Sequence, residues 1–376
     1  MKVALVYDRI NKWGGAARVL LALHEIFPDA PLYTSVYNPS LAPWAKVFTV
    51  KTSFLQNFPY ASSHHEMLAT LMPIAFESFS FSDYDLVISV TSEAAKGIVT
   101  QPHTKHICIC LTPTRYLWSG YDTYFPNKLF KFLTKPIVRY LKRWDAIVAQ
   151  RPDVYIAISK EVQKRIKKYY ERDSLVVYPP LSFTVNGSPF KKVNKTTKNR
   201  ERRTVNYFLV VSRLVPYKRI DIVVEACTKL GIPLKIVGSG SEERYLRSIA
   251  GSTIEFYNNL TDEELTTYYK ECSAFLFPGI EDFGLTIIEA QQFGKPVIAY
   301  KGGGALETII EGKTGEFFYP QTVLGLVNTL QKLLKKGILG DYSFSYSENA
   351  KENVQRFSKE RFKKELLEQI DILFKK

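Results

Sequence analysis

Short apolar runs rich in β-branched residues alternate along the whole chain with segments that have helical spacing. Because parallel strands are joined by crossover helices, this alternation predicts parallel sheets and an α/β fold class. The expected strands are Lys2–Tyr7, Asp85–Val90, His106–Leu111, Val154–Ile158, Tyr207–Val211, Leu234–Val237, Ala274–Phe277 and Pro296–Tyr300. The expected helices are Ala16–Ile26, Ile220–Lys229, Glu242–Ala250, Asp262–Glu271 and Leu285–Phe293.

The pattern occupies both halves of a chain of 376 residues, which is too long for one ordinary domain. A polar stretch from Ser182 to Arg203 separates the halves, and residues 191–203 hold seven basic side chains and one acidic side chain. We therefore expect two facing Rossmann-like domains, residues 1–185 and residues 204–354. A long amphipathic helix over Glu348–Phe374 is expected to send residues 355–376 back onto the first domain.

The formal charge of +14 indicates an anionic partner, which could be nucleic acid, a lipid surface or a phosphorylated substrate. No RNA-binding signature accompanies the basic residues, so we expect no nucleic-acid partner. The apolar run at the amino terminus is too short for a signal peptide, and no stretch reaches the ~18 apolar residues of a membrane span. Four scattered cysteines fit buried thiols better than a metal site. These features favour a cytoplasmic protein.

The segment Phe277–Glu289 predicts a strand end, a turn at Gly284 and a helix that begins near Leu285. Ligands of open α/β sheets bind at the carboxyl ends of strands, and the first amides of a helix attract anions. Glu281 and Glu289 could border one cleft there and accept hydrogen bonds from sugar hydroxyls. The alternative is a surface loop with ordinary solvated acids.

Three further turns follow expected strands. Arg213 and Lys218 stand five residues apart across a proline-containing turn and could both reach a diphosphate. Gly238 and Gly240 form part of a glycine pattern that could bring the backbone close to a nucleotide. Gly14 and Gly15, which follow the first strand, permit close approach of a phosphate or sugar. Each turn has an ordinary structural explanation, since basic turns and tight βα turns are common.

Taken in this order, the residues resemble the family 4 glycosyltransferases, which have the GT-B fold, over nearly the whole chain. Glu281 and Glu289 match the E-x7-E motif of that family, and Arg213 with Lys218 matches its basic pair. The remaining matches are Gly238–Gly240, Lys295–Ala299, Gly14–Ala16, Thr112–Tyr116 and Val176–Pro180, of which the last three are typical of enzymes that build polysaccharide or lipopolysaccharide.

The resemblance implies a nucleotide diphosphate sugar donor, retention of anomeric configuration, and no cofactor or divalent metal. The first domain would bind a glycan or lipid-linked acceptor, and the second would bind the donor of a hexose or 6-deoxyhexose. Arg213 and Lys218 would stabilise the departing diphosphate. Glu281 would hold the transferred sugar and Glu289 the ribose. The backbone amides of Phe283, Gly284 and Leu285 would support sugar and phosphate, and Gly14, Gly15, Gly238 and Gly240 would line the donor site.

Two positions depart from the family pattern: Ala17 stands where a glutamate is frequent, and Leu111 stands where the subgroup has a histidine. We expect Leu111, Thr112 and Arg115 to lie in an acceptor or sugar pocket. An apolar Leu111 would favour a donor whose sugar carries a methyl group instead of a 6-hydroxyl. The alternative is that Leu111 is a core residue and that a neighbouring polar group contacts the sugar.

A basic amphipathic segment is the last feature. It holds six basic residues and no acid, namely Lys128, Lys131, Lys135, Arg139, Lys142 and Arg143. Apolar side chains interleave with them, at Phe125, Leu129, Phe130, Phe132, Leu133, Ile137, Val138, Tyr140, Leu141 and Trp144. The segment could lie on an anionic membrane surface at the inner face of the plasma membrane. It could equally be a helix with one core face and one solvated face.

Two other functions remain open at this point. A nucleotide-sugar epimerase of the same fold would need the same donor site. A non-catalytic basic binding protein could use the same sheets as a scaffold.

Overall fold

A computed structural model describes residues 1–59, 61, 68–121, 127–181, 207–258, 260–335 and 343–375. The chain divides into two compact units, Met1–Pro180 with Lys359–Lys376 (the first unit) and Leu181–Ser358 (the second unit). The first unit thus ends before the expected boundary at residue 185. The expected linker Ser182–Arg203 and the expected domain start at residue 204 lie outside the described residues.

In the described part of the first unit, seven parallel strands form one sheet in the order β3-β2-β1-β4-β5-β6-β7. The strands are β1 (Val3–Tyr7), β2 (Leu32–Thr34), β3 (Val50–Thr52), β4 (Leu86–Thr91), β5 (Lys105–Cys110), β6 (Val154–Ala157) and β7 (Leu175–Val176). The helices are α1 (Gly15–Ile26), α2 (Met72–Glu77), α3 (Lys128–Val148) and α4 (Lys160–Tyr170). Apolar residues on both faces of the central strands are buried, as parallel sheets require.

The described second unit contains a six-stranded parallel sheet in the order β10-β9-β8-β11-β12-β13. Its strands are β8 (Phe208–Val211), β9 (Leu234–Val237), β10 (Ile254–Tyr257), β11 (Ala274–Phe277), β12 (Val297–Tyr300) and β13 (Gly315–Phe318). Its helices are α5 (Ile220–Leu230), α6 (Glu243–Ser248), α7 (Asp262–Glu271), α8 (Leu285–Gln292), α9 (Ala305–Thr308), α10 (Val323–Lys335) and α11 (Ser343–Val354). The predicted α/β class with two parallel sheets is confirmed.

The continuous helix expected over Glu348–Phe374 is wrong, because the chain breaks at Ser358. A 3₁₀ turn over Gln355–Phe357 follows α11, and Ser358 has extended backbone before α12 (Lys359–Lys375) begins. The Phe357 ring is buried against Phe283 with centroids 5.5 Å apart, which anchors the turn in the second unit. The returning helix therefore begins at Lys359 and not at residue 355. It contacts α1 in the first unit, where Lys359 pairs with Glu25.

Candidate functional site

The order of strands in the second unit reverses between β8 and β11, which are neighbours at the centre of the sheet. Crevices at such reversals, outside the carboxyl ends of the strands, are the usual ligand sites of open α/β sheets. Two loops leave the sheet here: the basic loop, residues 212–219 after β8, and the glutamate loop, residues 278–284 after β11. Both of the sequence-predicted donor motifs thus lie at this crevice.

Lys218 and Glu281 join the two loops through an ion pair between Nζ and Oε1. The side chains are 10% and 24% exposed, so this pair is largely withdrawn from solvent yet open to a ligand. An ion pair at such burial is strongly held, because neither charge is fully solvated alone. In this structure Glu281 therefore neutralises the lysine that was predicted to meet the diphosphate.

Arg213 and Lys218 are linked through the side chain of Tyr217. Arg213 is exposed and donates a hydrogen bond to the Tyr217 hydroxyl. The guanidinium carbon lies 6.0 Å from the centre of the Tyr217 ring, and Lys218 Nζ lies 5.4 Å from it. Cations over aromatic faces are attracted by the ring quadrupole. Tyr217, which the sequence analysis did not single out, thus holds both cations on the same loop.

Glu289 lies in different surroundings from Glu281. It is on α8 with 1% of its surface exposed, and its Oε2 accepts a hydrogen bond from the Tyr269 hydroxyl at 2.7 Å. The Tyr269 ring in turn stacks on Phe293 with centroids 5.6 Å apart. The two glutamates thus differ in exposure: Glu281 is partly exposed at the crevice, whereas the Glu289 carboxylate is buried beside the Tyr269 hydroxyl of α7.

The amino end of α8 begins at Gly284, whose backbone is left-handed with φ 88°. Leu285 and Thr286 are partly exposed, and amides of a first helical turn have no partner within their helix. Phe283 is buried just before this turn. The turn therefore presents Leu285 and Thr286 amides at the same crevice as Glu281, as an anion site requires.

A glycine run that the sequence analysis missed supports the glutamate loop. Gly304 follows β12, and a Cβ at this position would come within 2.4 Å of the Phe283 Cα. Its amide donates to the Glu281 carbonyl oxygen at 2.8 Å. Three consecutive glycines, Gly302–Gly304, one residue after an expected strand were the available signal.

Gly238 and Gly240 pack closely against the backbone of the basic loop. A Cβ at Gly238 would lie 1.9 Å from the Ser212 oxygen, and one at Gly240 would lie 2.1 Å from the Leu214 oxygen. The Leu214 amide also donates to the Ser239 carbonyl at 2.9 Å. The backbone at Gly238 and Gly240 thus lies close to the backbone of the basic loop. This contact positions the start of that loop, where Arg213 lies.

The predicted residues of the first unit are spread over two loops. Gly14 and Gly15 are exposed at the start of α1, where Gly14 has extended backbone with φ 179°. Leu111 follows the last residue of β5 and is partly exposed, as is Arg115. Thr112 is buried, and its Oγ1 has no hydrogen-bond partner among the described residues.

His106 does not take the place of the histidine that the subgroup has at the position of Leu111. It is fully buried and shares a hydrogen bond of 2.8 Å between its Nε2 and Ser89 Oγ. Burial, together with the positive charge of Arg151, lowers the pKa of His106 to about 3. The imidazole is therefore neutral at physiological pH and belongs to the core.

A buried polar cluster, which the sequence analysis also missed, underlies the Thr112–Tyr116 segment. It consists of Lys96, Thr114, Trp118, Asp145 and Tyr170. The Asp145 carboxylate pairs with Lys96 and accepts hydrogen bonds from the other three side chains at 2.7–2.9 Å. Burial disfavours the Lys96 ammonium, but the Asp145 charge outweighs it and raises the Lys96 pKa. The cluster therefore positions the loop after β5 through a charged, water-excluded contact.

The strand order of the first unit reverses between β1 and β4, and Asp8 lies in that crevice. Its carboxylate accepts hydrogen bonds from the Thr91 hydroxyl and from the amides of Ser92, Ala94 and Ala95, at 2.6–2.9 Å. The amides that follow β4 thus donate their hydrogen bonds to the Asp8 carboxylate. Among the described residues, no group of three or more His, Cys, Asp or Glu side chains is placed to hold a metal ion.

Comparisons with known proteins show similarity in sequence and in fold. Residues 192–355 match the family model described as Glycosyl transferases group 1. The chain is 28% identical to O-antigen chain mannosyltransferase C of Escherichia coli over 234 residues, 60% of each chain. It is 26% identical to a D-rhamnosyltransferase of Pseudomonas aeruginosa over 192 residues, 49% of this chain and 48% of the relative.

A solved structure of the Anabaena protein HepE in complex with UDP-glucose has the same fold, with a TM-score of 0.70. The two chains are 19% identical, and the match covers 99% of this chain and 100% of the other. The chain spans about half to three fifths of the length of the first curated relatives it matches. The second unit thus matches the model of the group 1 glycosyl transferases over residues 192–355, and the chain has the two-sheet α/β architecture of the GT-B fold.

Proposed function

We propose that the protein is a retaining, metal-independent hexosyltransferase. It would move a hexose or 6-deoxyhexose, mannose- or rhamnose-like, from a nucleotide diphosphate sugar to a glycan or lipid-linked acceptor in cell-surface polysaccharide synthesis. The observation that carries the proposal is the meeting of Arg213, Lys218 and Glu281 at the strand reversal of the second unit. The mannosyl- and rhamnosyltransferase relatives support the choice of sugar.

The chemistry follows from the Lys218–Glu281 pair. When a donor binds, its diphosphate offers Lys218 a new anionic partner, and Glu281 becomes available to accept hydrogen bonds from the sugar hydroxyls. During transfer the anomeric carbon exchanges its bond to the β-phosphate oxygen for a bond to the acceptor hydroxyl oxygen, which gives up its proton, and negative charge grows on the departing phosphate. Cations that are already in place stabilise this charge without reorganisation. Arg213 adds a second cation that binds phosphate through its planar fork.

Donor binding is tested by a thermal-shift screen of nucleotide diphosphate sugars against the matching nucleoside monophosphates. A donor at 100 times its dissociation constant should stabilise the protein by about 2.7 kcal/mol, and the monophosphate should stabilise it much less. The Lys218→Ala variant should lose most of the donor's shift. Equal shifts with and without the β-phosphate, or an unchanged shift in the variant, would contradict the donor site. Product analysis in the same mixtures separates sugar transfer from epimerisation of the donor.

Leu111 is proposed to select a 6-deoxy donor. An apolar side chain against the sugar accommodates a methyl group but leaves a buried hydroxyl without a partner, a loss of about 1–3 kcal/mol. We therefore expect kcat/KM to favour the 6-deoxy donor over its 6-hydroxy counterpart by roughly 5- to 150-fold. Leu111→His should reduce this preference, and Leu111→Met should preserve it.

The rival account gives the contact to a neighbouring polar group, and Thr112 Oγ1 is the adjacent candidate because it is buried without a partner among the described residues. Thr112→Val removes that hydroxyl at nearly constant volume. A wild type that prefers the 6-hydroxy donor, with a ratio that changes in Thr112→Val and not in Leu111→His, would contradict the role of Leu111.

A further inference from the structure

The helix α3 exposes large apolar side chains on its outer surface. Leu129, Phe132 and Leu133 are 68%, 72% and 63% exposed, and Ile137 and Tyr140 are also exposed. These five residues define the apolar stripe. Phe125 and the side chain of Phe130 lie outside the described part of the chain. Isolated exposed leucines are normal on protein surfaces, but a continuous stripe of this kind indicates an interaction site.

The apolar stripe is not the face by which α3 packs on its own unit. Val138, Leu141, Asp145 and Val148 are buried and form the inner face of the helix. At about 100° per residue, the apolar stripe is centred well over a quarter-turn from this inner face, on the outer side of the helix. An ordinary surface helix has polar residues there. The interpretation as a helix with one core face and one solvated face does not account for these exposed apolar side chains.

A basic stripe runs beside the apolar one. It consists of four exposed residues, Lys128, Lys135, Arg139 and Arg143. Lys131 and Lys142, which complete the set, lie over the Tyr121 ring at 4.8 and 5.1 Å. No acidic residue occurs from Lys128 to Trp144, and the next one, Asp145, is buried in its pair with Lys96. The outer surface of α3 is thus apolar on one flank and uniformly positive on the other.

We propose that α3 lies in the plane of an anionic lipid bilayer, with the apolar stripe at the headgroup–acyl boundary and the basic stripe against lipid phosphates. This combination of exposed apolar area and clustered positive charge is what interfacial helices use. A second copy of the chain fits poorly, because a two-fold contact would bring identical basic stripes together on proteins of formal charge +14. Among the described residues no helix is long and apolar enough to cross a membrane, so α3 would bind the surface. The inference does not rest on the proposed transfer reaction.

Vesicle flotation of the full chain tests this inference. The protein should float with vesicles of phosphatidylcholine containing phosphatidylglycerol at low salt, and much less with phosphatidylcholine alone. Because each basic residue near such a surface contributes about a fivefold gain in partitioning, the variant K128Q/K135Q/R139Q/R143Q should bind at least ~100-fold more weakly. Binding should also fall in about 1 M salt, where the Debye length is about 3 Å. Leu129→Ser with Phe132→Ser should weaken binding in either salt.

A matched control removes four exposed lysines from other helices, as K229Q/K332Q/K335Q/K363Q. This control has the same change in net charge and should float like the wild type, with unchanged circular dichroism in every variant. Equal recovery on neutral and anionic vesicles at low salt would overturn the proposal. So would a dimer of the wild type that dissociates in the Leu129→Ser, Phe132→Ser variant, because the stripe would then be a protein interface.

Discussion

Replacing Lys218 by alanine is expected to lower kcat by about 10²-fold or more, and the same result is expected for Arg213→Ala. A loss of this size is typical when one preorganised group that stabilises transition-state charge is removed. For Lys218 a second effect adds to the first, because Glu281 loses the partner that holds it in the crevice. Initial rates at saturating donor and acceptor, with KM measured separately, give both quantities.

Lys229→Ala is the matched control for this pair. Lys229 is exposed in the last turn of α5, the helix that begins just after the basic loop. Its replacement changes the net charge by the same amount as Lys218→Ala does, but at the end of α5 that is remote from the basic loop. We expect kcat to stay within about twofold of the wild type, since screened surface charges contribute little. If Lys229→Ala and Lys218→Ala lose activity equally, the effect comes from net charge and not from the site.

Replacing Lys96 by methionine is expected to destabilise the first unit by about 3–5 kcal/mol. The Lys96 and Asp145 side chains are each 1% exposed, so the substitution leaves a carboxylate without its counter-ion in a water-excluded site. All four tryptophans, at positions 13, 44, 118 and 144, belong to the first unit. Urea unfolding followed by tryptophan fluorescence therefore reports this unit separately.

Lys167→Met is the control for the buried pair. Lys167 and Asp173 form an ion pair of 2.8 Å whose side chains are 62% and 93% exposed. Exposed pairs of this kind contribute about 0–1 kcal/mol, so the control should unfold almost like the wild type. A Lys96→Met protein that unfolds within 1 kcal/mol of this control would show that the cluster does not hold the loop after β5.

The central strands were predictable because both of their faces are buried, which leaves apolar runs in the sequence. All eight expected strands are present, with ends shifted by at most one residue. The missed strands are of another kind. β2 and β3 have only three residues each, β7 has only two, and β10 and β13 include the charged residues Glu255 and Glu316. Such short or mixed segments become strands through pairing with a neighbour, a tertiary effect that local composition does not record.

The two loops of the candidate donor site were predictable for the same reason that the strands were, since each loop follows a recognisable strand end. Their contacts were not predictable. Lys218 and Glu281 meet because β8 and β11 are neighbours in space, and nothing in either loop indicates the partner. Glu289 accepts a hydrogen bond from Tyr269 on another helix, and the Lys96–Asp145 pair joins residues from distant segments. The helical periodicity of the sequence likewise could not show whether the apolar stripe of α3 faces a core or solvent.

The most direct test of the central claim measures sugar transfer in excess chelator. It compares the Arg213→Ala, Lys218→Ala double variant with the wild type. The claim is that the basic loop beside Glu281 binds and activates the donor diphosphate without a metal ion. We predict that the wild type keeps its rate in chelator and forms product with the donor's anomeric configuration, while the double variant forms almost none. Full activity of the double variant would contradict the account, as would loss of wild-type activity in chelator.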